Sequence, residues 1–246
     1  MISHALGIER IAVYTDFERP LTAAELDICR EPVARRGRRE PLAYINGHRG
    51  FRRLDLSVGP GVLVPRPETE ILVEWALAVA PPRARVLDWG TGSGAIALAL
   101  ADERPDLVVT GVDRSEDALT VARGNDNVNG VSWLLSDGFS ALGGEQFDVI
   151  AANPPYLSDS ELAAAPPELH HEPAGALSSG PTGLEATTAI IADAPAHLSP
   201  AGWLLIEVGA TQGAGVAEMF RVAGFLDVDV RMDYARIPRV VGGRVP

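Results

Sequence analysis

The sequence is poor in the residues that build covalent or membrane-spanning frameworks. It has one cysteine, Cys29, which excludes a disulfide framework and a thiolate metal site and fits a reducing cytosol. It has no run of 18 apolar residues and no basic-then-apolar N-terminal pattern, so it predicts neither a membrane-spanning helix nor a signal peptide. It also has no lysine, and all 21 basic residues are arginines, which we interpret as compositional bias. We expect a soluble, cytoplasmic protein.

The charge balance is acidic, with 33 carboxylates against 21 arginines and a formal net charge of −12. Such a surface disfavours binding to nucleic acid by general phosphate attraction, and it suits a cationic ligand or a basic patch on a partner. Apolar residues make up 46% of the 246 residues, enough for a sizeable core. The length fits one large domain, alone or with a small appendage.

From residue 83 onward, strand-like and helix-like patterns alternate, which is typical of a parallel sheet covered by helices on both faces. Strands are predicted at 84–89, 108–113, 132–136, 147–152, 202–208, 225–231 and 239–241. Helices are predicted at 94–102, 115–129, 184–197 and 211–223. The fold class is therefore α/β: a doubly wound, mostly parallel, seven-stranded sheet whose last strands close as a hairpin.

The pattern before residue 83 differs. Two short helices are predicted at 4–18 and 22–36, the second opened by a capping box of Thr22 and Glu25. Turn residues then separate short stretches of alternating apolar residues, which predicts a β-hairpin. A helix is predicted to begin near Pro67 and to end before two prolines. The predicted division is a helical region over 1–40, a β-hairpin linker over 41–66 and a main domain over 67–246.

A glycine-rich turn joins the first predicted strand of the main domain to its helix, in the sequence "VLDWGTGSGAIALAL". Its glycines let the backbone approach a ligand closely, and the helix start offers free N–H groups. A nucleotide-type ligand is expected there, although Gly90-x-Gly92-x-x-Ala95 also satisfies the dinucleotide fingerprint, and packing alone would be the plainer explanation. The loop residues are Gly90, Thr91, Gly92, Ser93 and Gly94.

Two acids follow the next strands. Asp113 ends the second strand, where its carboxylate can accept both ribose hydroxyls of NAD or of S-adenosylmethionine alike, or can cap the helix at Ser115. The third strand ends in "SDGFSAL", where Asp137 could accept from an adenine amino group with Phe139 against the ring, or serve as a turn residue.

The fourth strand ends in "NPPY", residues 153–156. In a doubly wound sheet the first and fourth strands are neighbours at the point where strand order reverses, so this segment should face the ligand of the glycine loop. The prolines hold two acceptors rigidly, the Asn153 side-chain oxygen and the Pro154 carbonyl. These acceptors suit a planar NH₂ group, whose nitrogen is a poor nucleophile until it is aligned with an electrophilic methyl group. Tyr156 can stack on the flat substrate.

No strong general base is needed if the proton leaves after transfer, in agreement with the lack of a nearby catalytic histidine. His170 and His171 are adjacent in a proline-rich stretch, and we expect them at the surface rather than as metal ligands.

These motifs, in this order, resemble a class I S-adenosylmethionine-dependent methyltransferase with a Rossmann-like fold. The segments "PLAYINGHRGF…VLVPRPETEILVEWAL" (41–77) and "EPAGALSSGPTGLEATTAII" (172–191) are similar to the HemK/PrmC type, the release factor glutamine methyltransferases. The resemblance implies methylation of the glutamine amide in the Gly-Gly-Gln loop of peptide chain release factors. It places S-adenosylmethionine at 90–94, Asp113, Asp137, Gly138, Phe139 and Asn153. It places the glutamine at Asn153, Pro154, Pro155 and Tyr156, of which Asn153, Pro154 and Tyr156 are expected to be catalytic.

The sequence departs from that family at three points. Gly138 stands where an aromatic residue is common, Trp89 replaces a small aliphatic residue, and the first 40 residues correspond to only the last part of a larger helical bundle. The cluster Arg35, Arg36, Arg38 and Arg39 in that region could meet an acidic release factor or could be a solvated helix end. We expect a monomer, without stable binding to nucleic acid or membrane.

Three other functions stay open. A flipped adenine offers the same planar NH₂ to the same motif, so methylation of DNA or RNA is the first alternative. A non-catalytic module that binds S-adenosylmethionine or a partner is the second, and a nicotinamide dehydrogenase is the third. The acidic charge weighs against the first, and the intact Asn153 and Asp113 weigh against the second.

Overall fold

The computed structural model describes residues 1–127 and 130–246, which form short N-terminal helices, a two-stranded sheet and a seven-stranded sheet. The strands are β1 (His48–Phe51), β2 (Leu54–Ser57), β3 (Arg85–Trp89), β4 (Val108–Asp113), β5 (Val131–Leu135), β6 (Phe147–Ala152), β7 (Leu198–Glu207), β8 (Leu226–Met232) and β9 (Pro238–Arg244). The helices are α1 (Ile2–Leu6), α2 (Ala12–Thr15), α3 (Ala23–Gly37), α4 (Leu42–Asn46), α5 (Glu70–Val79), α6 (Ala95–Glu103), α7 (Glu116–Asn125), α8 (Asp159–Ala163), α9 (Glu185–His197) and α10 (Gly213–Val222). Short 3₁₀ helices cover Pro67–Thr69, Leu169–His171 and Ala174–Ala176.

The large sheet has the order β5-β4-β3-β6-β7-β9-β8. Neighbours from β5 to β7 are parallel, whereas β9 runs antiparallel to both β7 and β8. The predicted fold class is thus confirmed. The main difference is at β7, which begins at Leu198 rather than at residue 202. Its first residues include Pro200 and Ala201 at a φ of 60°, a pattern that indicates a turn in the sequence.

Helices cover the sheet on both sides and bury two apolar clusters. Val86 and Leu87 are consecutive in β3 and fully buried, one in each cluster, because successive strand side chains point to opposite faces. Leu72 of α5 packs in the first cluster and Phe220 of α10 in the second. A strand that is covered on both faces consists of a continuous run of apolar residues, which is why these strands could be predicted from the sequence.

The site is positioned by the register of the two central strands. Trp89 of β3 pairs with Ala152 of β6, so Gly90 and Asn153 are the first residues after neighbouring strand ends. Strand order reverses between β3 and β6, where doubly wound sheets bind their ligands. The predicted juxtaposition of the glycine loop and the "NPPY" segment is confirmed.

The N-terminal region differs from its prediction in one place. The single helix expected over 4–18 is two short helices, because Gly7 at a φ of 63° adopts the left-handed conformation that ends α1. The capping box of α3 is confirmed: Thr22 Oγ1 accepts from Glu25 N at 3.3 Å, and Glu25 Oε2 accepts from Thr22 N at 2.8 Å.

The predicted β-hairpin is present, but it occupies only part of the predicted range 41–66. Asn46 ends α4, β1 pairs with β2, and the chain from Val58 to Arg66 runs on without regular structure. The hairpin turn lies at Arg52, whose φ of 49° is unusual for a residue other than glycine and therefore leaves no glycine signal in the sequence.

The helix predicted over 115–129 is α7, which ends at Asn125, and positions 128 and 129 lie outside the described residues. In the described parts of the chain, every helix is too short or too polar to cross a membrane.

Candidate active site

The glycine loop between β3 and α6 uses its glycines for two purposes. Gly90, Gly92 and Gly94 have φ angles of 74°, 54° and 84°, a left-handed conformation that side chains other than glycine rarely adopt. A Cβ atom on Gly94 would approach Leu98 and Trp133 to 3.0 Å, whereas nothing lies within 4 Å of one on Gly90 or Gly92. Gly94 is therefore required by interior packing, and the other two leave the loop surface open.

A cavity of about 230 Å³, the glycine-loop cavity, lies between this loop and the ends of β4, β5 and β6. The candidate residues that line it are Gly90, Gly92, Asp113, Asp137, Gly138, Asn153 and Pro155. Four further candidates are buried behind the cavity wall: Thr91, Ser93, Gly94 and Phe139. Most of the candidate set is therefore brought together by the fold.

Asp113 occupies the end of β4, and both of its carboxylate oxygens are engaged. Oδ2 accepts a hydrogen bond from Gly92 N at 2.9 Å, and Oδ1 accepts one from Ser115 N at 2.9 Å. The residue thus ties the glycine loop to the start of α7. Each carboxylate oxygen has a second lone pair, so acceptor capacity for hydroxyl groups in the cavity remains.

Phe139 does not line the cavity, which corrects the expectation that its ring packs on a ligand. Its ring stacks on His197 with centroids 4.7 Å apart, inside the second apolar cluster. The aromatic residue that does line the cavity is Trp89, one of the departures from the family pattern. A Cβ atom on Gly138 would lie 3.8 Å from Trp89 Nε1, so the two departures are neighbours.

Asp88, one residue before Trp89, is a buried acid that the sequence reasoning missed. Its Oδ2 accepts from Thr91 Oγ1 at 2.5 Å and from Ala97 N at 3.0 Å, and its Oδ1 has no partner among the described residues. Burial raises the pKa of Asp88 to about 7, and the charge of Asp113 acts in the same direction. The carboxylate thus fastens the loop to α6 from behind the cavity. Its signal was an acid inside an otherwise apolar strand.

Replacing Asp88 with asparagine should flatten the dependence of stability on pH. An acid whose folded pKa is about 7, against an unfolded value near 3.8, contributes stability that is present at low pH and is lost as pH rises through 7. Between pH 5 and pH 8 the wild type should lose roughly 2 to 3 kcal/mol more than Asp88→Asn. Urea denaturation of both proteins at the two pH values measures this, and parallel pH profiles would contradict it.

Asn153 lines the glycine-loop cavity at the end of β6. Its Nδ2 donates to Thr69 Oγ1 at 3.3 Å, and its Oδ1 is buried without a hydrogen-bond partner among residues 1–127 and 130–246. A buried acceptor without a protein partner is costly, so such a group calls for a water molecule or a ligand. Burial raises the pKa of Glu207, a buried acid near Thr69, to about 7.

A second cavity of about 470 Å³, the Tyr156 cavity, lies on the other side of Asn153. The two cavities share Leu63, Asn153 and Ala176. Burial, together with the nearby charge of Glu207, raises the pKa of Tyr156 to about 12, so its hydroxyl stays neutral at physiological pH. Pro154 is buried and lines neither cavity.

The "NPPY" segment is held by its partners in the 172–191 stretch. Leu157 N donates to Leu177 O, and Ser179 N donates to Leu157 O, both at 3.0 Å. Gln212 Nε2 donates to Tyr156 O at 2.9 Å from the far side. A segment that the sequence reasoning used only as a family signature therefore fixes the backbone of the site.

Glu172 lines the Tyr156 cavity, as do both of its hydrogen-bond partners. Its side chain is 2% exposed; Oε2 accepts from Val64 N at 2.9 Å, and Oε1 accepts from Arg66 Nη2 at 2.5 Å. Glu172→Ala should cost roughly 2 to 3 kcal/mol of stability, because it leaves a buried N–H and a guanidinium without an acceptor.

The pair Arg85–Glu145 offers a matched control for that substitution. The distance between Arg85 Nη2 and Glu145 Oε2 is also 2.5 Å, but the two side chains are 47% and 54% exposed. Glu145→Ala should therefore cost under about 1 kcal/mol. Chemical denaturation of the two variants gives the comparison, and equal losses would show that Glu172 is no more than a surface partner.

The arginine cluster at the end of α3 is largely paired within the protein. Arg35 binds Glu40, while Arg36 and Arg39 bind the carboxylate of Glu168 at 3.0 Å and 2.9 Å. The cluster therefore ties α3 to the stretch before residue 170, a role that neither earlier interpretation included. His170 and His171 are exposed, as expected.

Comparison with known proteins agrees with this geometry. Residues 67–182 match the methyltransferase small domain, and residues 1–47 match the PrmC N-terminal domain. The release factor glutamine methyltransferase of Geobacter sulfurreducens is 45% identical over 248 residues, covering 100% of this chain and 87% of the relative. That of Salmonella typhimurium is 42% identical over 248 residues, covering 99% of this chain and 90% of the relative.

Among solved structures, a methyltransferase from Pyrococcus furiosus superposes with a TM-score of 0.59 at 20% identity, over 79% of this chain and 90% of that chain. At that identity the likeness concerns the fold alone. The fold is that of the class I methyltransferases. With relatives above 40% identity along its length, the chain belongs to the family of release factor glutamine methyltransferases, and the resemblance inferred from its motifs is confirmed.

Proposed function

We propose that the protein transfers a methyl group from S-adenosylmethionine to the side-chain amide nitrogen of the glutamine in the Gly-Gly-Gln loop of peptide chain release factors. The observation that carries the proposal is Asn153, which lines both cavities and whose buried Oδ1 has no partner in the described structure. An acceptor at that point suits an N–H group of the substrate. The names of the relatives supply the identity of the substrate.

The glycine-loop cavity fits S-adenosylmethionine, which when bound supplies an electrophilic methyl group on a sulfonium. Gly90 and Gly92 leave room for close backbone approach, and Asp113 keeps acceptor capacity for ribose hydroxyls. Asp137 is exposed at the cavity, where it can accept from the adenine amino group. The two carboxylates also favour a cationic ligand. Thr91, Ser93, Gly94 and Phe139 would support this set from behind.

The substrate side is formed by the "NPPY" residues. Asn153 Oδ1 and the Pro154 carbonyl would each accept one N–H of the glutamine amide, and Tyr156 would stack on its plane while Pro155 stands toward the cofactor. Two fixed acceptors set the plane of the amide and direct the nitrogen lone pair along the line of displacement. They also stabilise the charge that develops on nitrogen. Tyr156 stays neutral, so the proton leaves to solvent after transfer.

The release factor would dock on the N-terminal side of the Tyr156 cavity, whose wall includes Leu42 and Arg49. The region 1–40 exposes Ile11, Tyr14 and Phe17, apolar side chains suited to a protein partner. The hairpin linker over 41–66 would connect this region to the methyltransferase domain over 67–246. We expect the protein to act as a monomer in the cytoplasm, where translation ends.

The test is incubation with methyl-labelled S-adenosylmethionine and either a release factor or nucleic acid. Label should appear on the release factor and should be absent from a variant whose Gly-Gly-Gln glutamine is alanine. Label on DNA or RNA instead would overturn the proposal in favour of adenine methylation. Cofactor binding by calorimetry with label on neither substrate would point to a non-catalytic binding module.

A further inference from the structure

One charged side chain lies on the inner face of the hairpin formed by β1 and β2. Arg49 of β1 pairs with Leu56 of β2, and residues opposite each other in a sheet have their side chains on the same face. Phe51, two residues further along β1, shares that face because successive strand side chains alternate. Phe51 and Leu56 are each 1% exposed and pack in the first apolar cluster. Arg49 is therefore a cation on the face of the hairpin that supplies the core.

Arg49 lines the Tyr156 cavity, and its guanidinium has no partner in the described parts of the chain. Its Nε is buried without a hydrogen bond to any of residues 1–127 and 130–246. A guanidinium carries five N–H donors and no acceptor. A buried N–H without an acceptor is costly, so Arg49 calls for a water molecule or a ligand that presents an acceptor.

The other charged residues that line the Tyr156 cavity each have a partner of opposite charge. Arg36 binds Glu168 at 3.0 Å, and Arg66 binds Glu172 at 2.5 Å. Among the described residues, Arg49 is thus the one charge of this wall without a counterion. Most of the remaining lining residues are apolar. An apolar cavity with a few convergent polar groups is typical of a ligand site, and here the unpaired group is a donor.

The proposed substrate offers acceptors at this place. Asn153 and Arg49 line the same cavity, so a glutamine whose amide meets Asn153 brings its own main chain into the cavity with Arg49. The two residues before that glutamine are glycines, whose only acceptors are main-chain carbonyls. Because a glycine has no Cβ atom, a side chain can approach its main chain closely. We propose that Arg49 is a substrate-binding residue that donates to a main-chain carbonyl of this Gly-Gly segment. The role rests on the proposed function and deepens it.

Binding of a release factor to the protein saturated with S-adenosylhomocysteine tests this role without turnover. Arg49→Ala should weaken binding about ten- to hundred-fold, the value of a hydrogen bond from a charged group. Arg49→Lys keeps the charge but loses the planar fork of donors, so it should recover only part of the affinity. Arg53→Ala is the matched control, because Arg53 is an exposed arginine in the turn of the same hairpin and lines neither cavity. It should bind like the wild type.

Kinetics and stability distinguish substrate binding from a structural role. In Arg49→Ala the KM for the release factor should rise with the loss of affinity, while kcat stays within about three-fold, because the contact is equal in the ground state and the transition state. The Kd for S-adenosylmethionine should stay unchanged, since Arg49 does not line the glycine-loop cavity. The melting temperature should not fall, because the substitution removes a buried N–H without a partner. A lower melting temperature with unchanged affinity would show that Arg49 supports the hairpin instead.

A double-mutant cycle tests whether the acceptor belongs to the main chain of the Gly-Gly segment. A release factor with alanine in place of the glycine before the glutamine carries a Cβ atom beside the carbonyl. It should bind the wild type about ten-fold more weakly than the unmodified factor does, but Arg49→Ala should bind both factors alike, since the contact is already lost. Additive losses would overturn the main-chain contact.

The outcomes also separate this role from the proposed function. If the wild type does not bind a release factor at all, the proposed function fails, and this role fails with it. If the wild type binds and Arg49→Ala binds equally well, the role of Arg49 alone is refuted, and a water molecule satisfies its buried Nε.

Discussion

Replacing Asn153 with alanine is expected to lower kcat by about 10²- to 10³-fold. S-adenosylmethionine binding is expected to weaken by less than about ten-fold. The size of the kinetic effect is that of one preorganised polar contact to developing charge. Asn153 also lines the glycine-loop cavity, so its loss should remove one hydrogen bond to the cofactor. The affinity for S-adenosylmethionine should therefore fall only by the value of one hydrogen bond. Steady-state kinetics with a release factor and calorimetry with the cofactor measure the two quantities.

Asn127→Ala provides the matched control, because Asn127 is an exposed asparagine that lines neither cavity. It should leave kcat and cofactor affinity unchanged. If Asn153→Ala kept kcat within about three-fold of the wild type, Asn153 Oδ1 would not be the acceptor of a substrate N–H, and the proposed function would lose its main support.

The second large effect is expected from Gly183→Ala, which acts on the backbone of the "NPPY" segment. Gly183 has a φ of 74°, and a Cβ atom there would lie 2.5 Å from Tyr156 O and 2.8 Å from Ser158 N. Backbone atoms held on both sides cannot move away cheaply. We expect a stability loss of roughly 3 kcal/mol, the sum of conformational strain and overpacking. Turnover should fall about 10²-fold in the folded fraction because Tyr156 is displaced.

Gly143→Ala separates the two causes. Gly143 has a similar φ of 58°, but nothing lies within 4 Å of a Cβ atom at that position. It should cost only the conformational strain, about 1 kcal/mol, and should leave turnover unchanged. Thermal unfolding and kinetics of the two variants give the comparison. Equal stability losses would show that the close approach to Tyr156 has no energetic weight.

The strands of the main sheet could be predicted because most contain a short apolar run bounded by turn residues, as in β3 and β6, while β8 alternates apolar and charged residues. The position of the site followed from topology, since only one point in a doubly wound sheet brings the ends of β3 and β6 together. The first N-terminal helix was predicted too long because its apolar spacing continues through Gly7. The turn at Arg52 was missed because the residue adopts a conformation that its side chain does not signal.

The supporting residues of the site could not be predicted, because their partners are distant in the sequence. Thr69 meets Asn153 across 84 residues, and Arg66 meets Glu172 across 106 residues. Nothing in the local pattern around either residue indicates the other. Phe139 was predicted to contact the ligand because it lies close to Asp137 in the sequence, whereas its ring packs in the core against His197. Local motifs thus indicated the chemistry, and tertiary contacts determine how it is held.

The most direct test of the central claim is the position of the methyl group in the product. Tandem mass spectrometry of the release factor after reaction with the wild-type protein should place one added methyl group on the side-chain nitrogen of the Gly-Gly-Gln glutamine, and the same peptide should stay unmodified with Asn153→Ala. A methyl group on any other residue, or an unmodified release factor beside a methylated adenine in added nucleic acid, would contradict the claim.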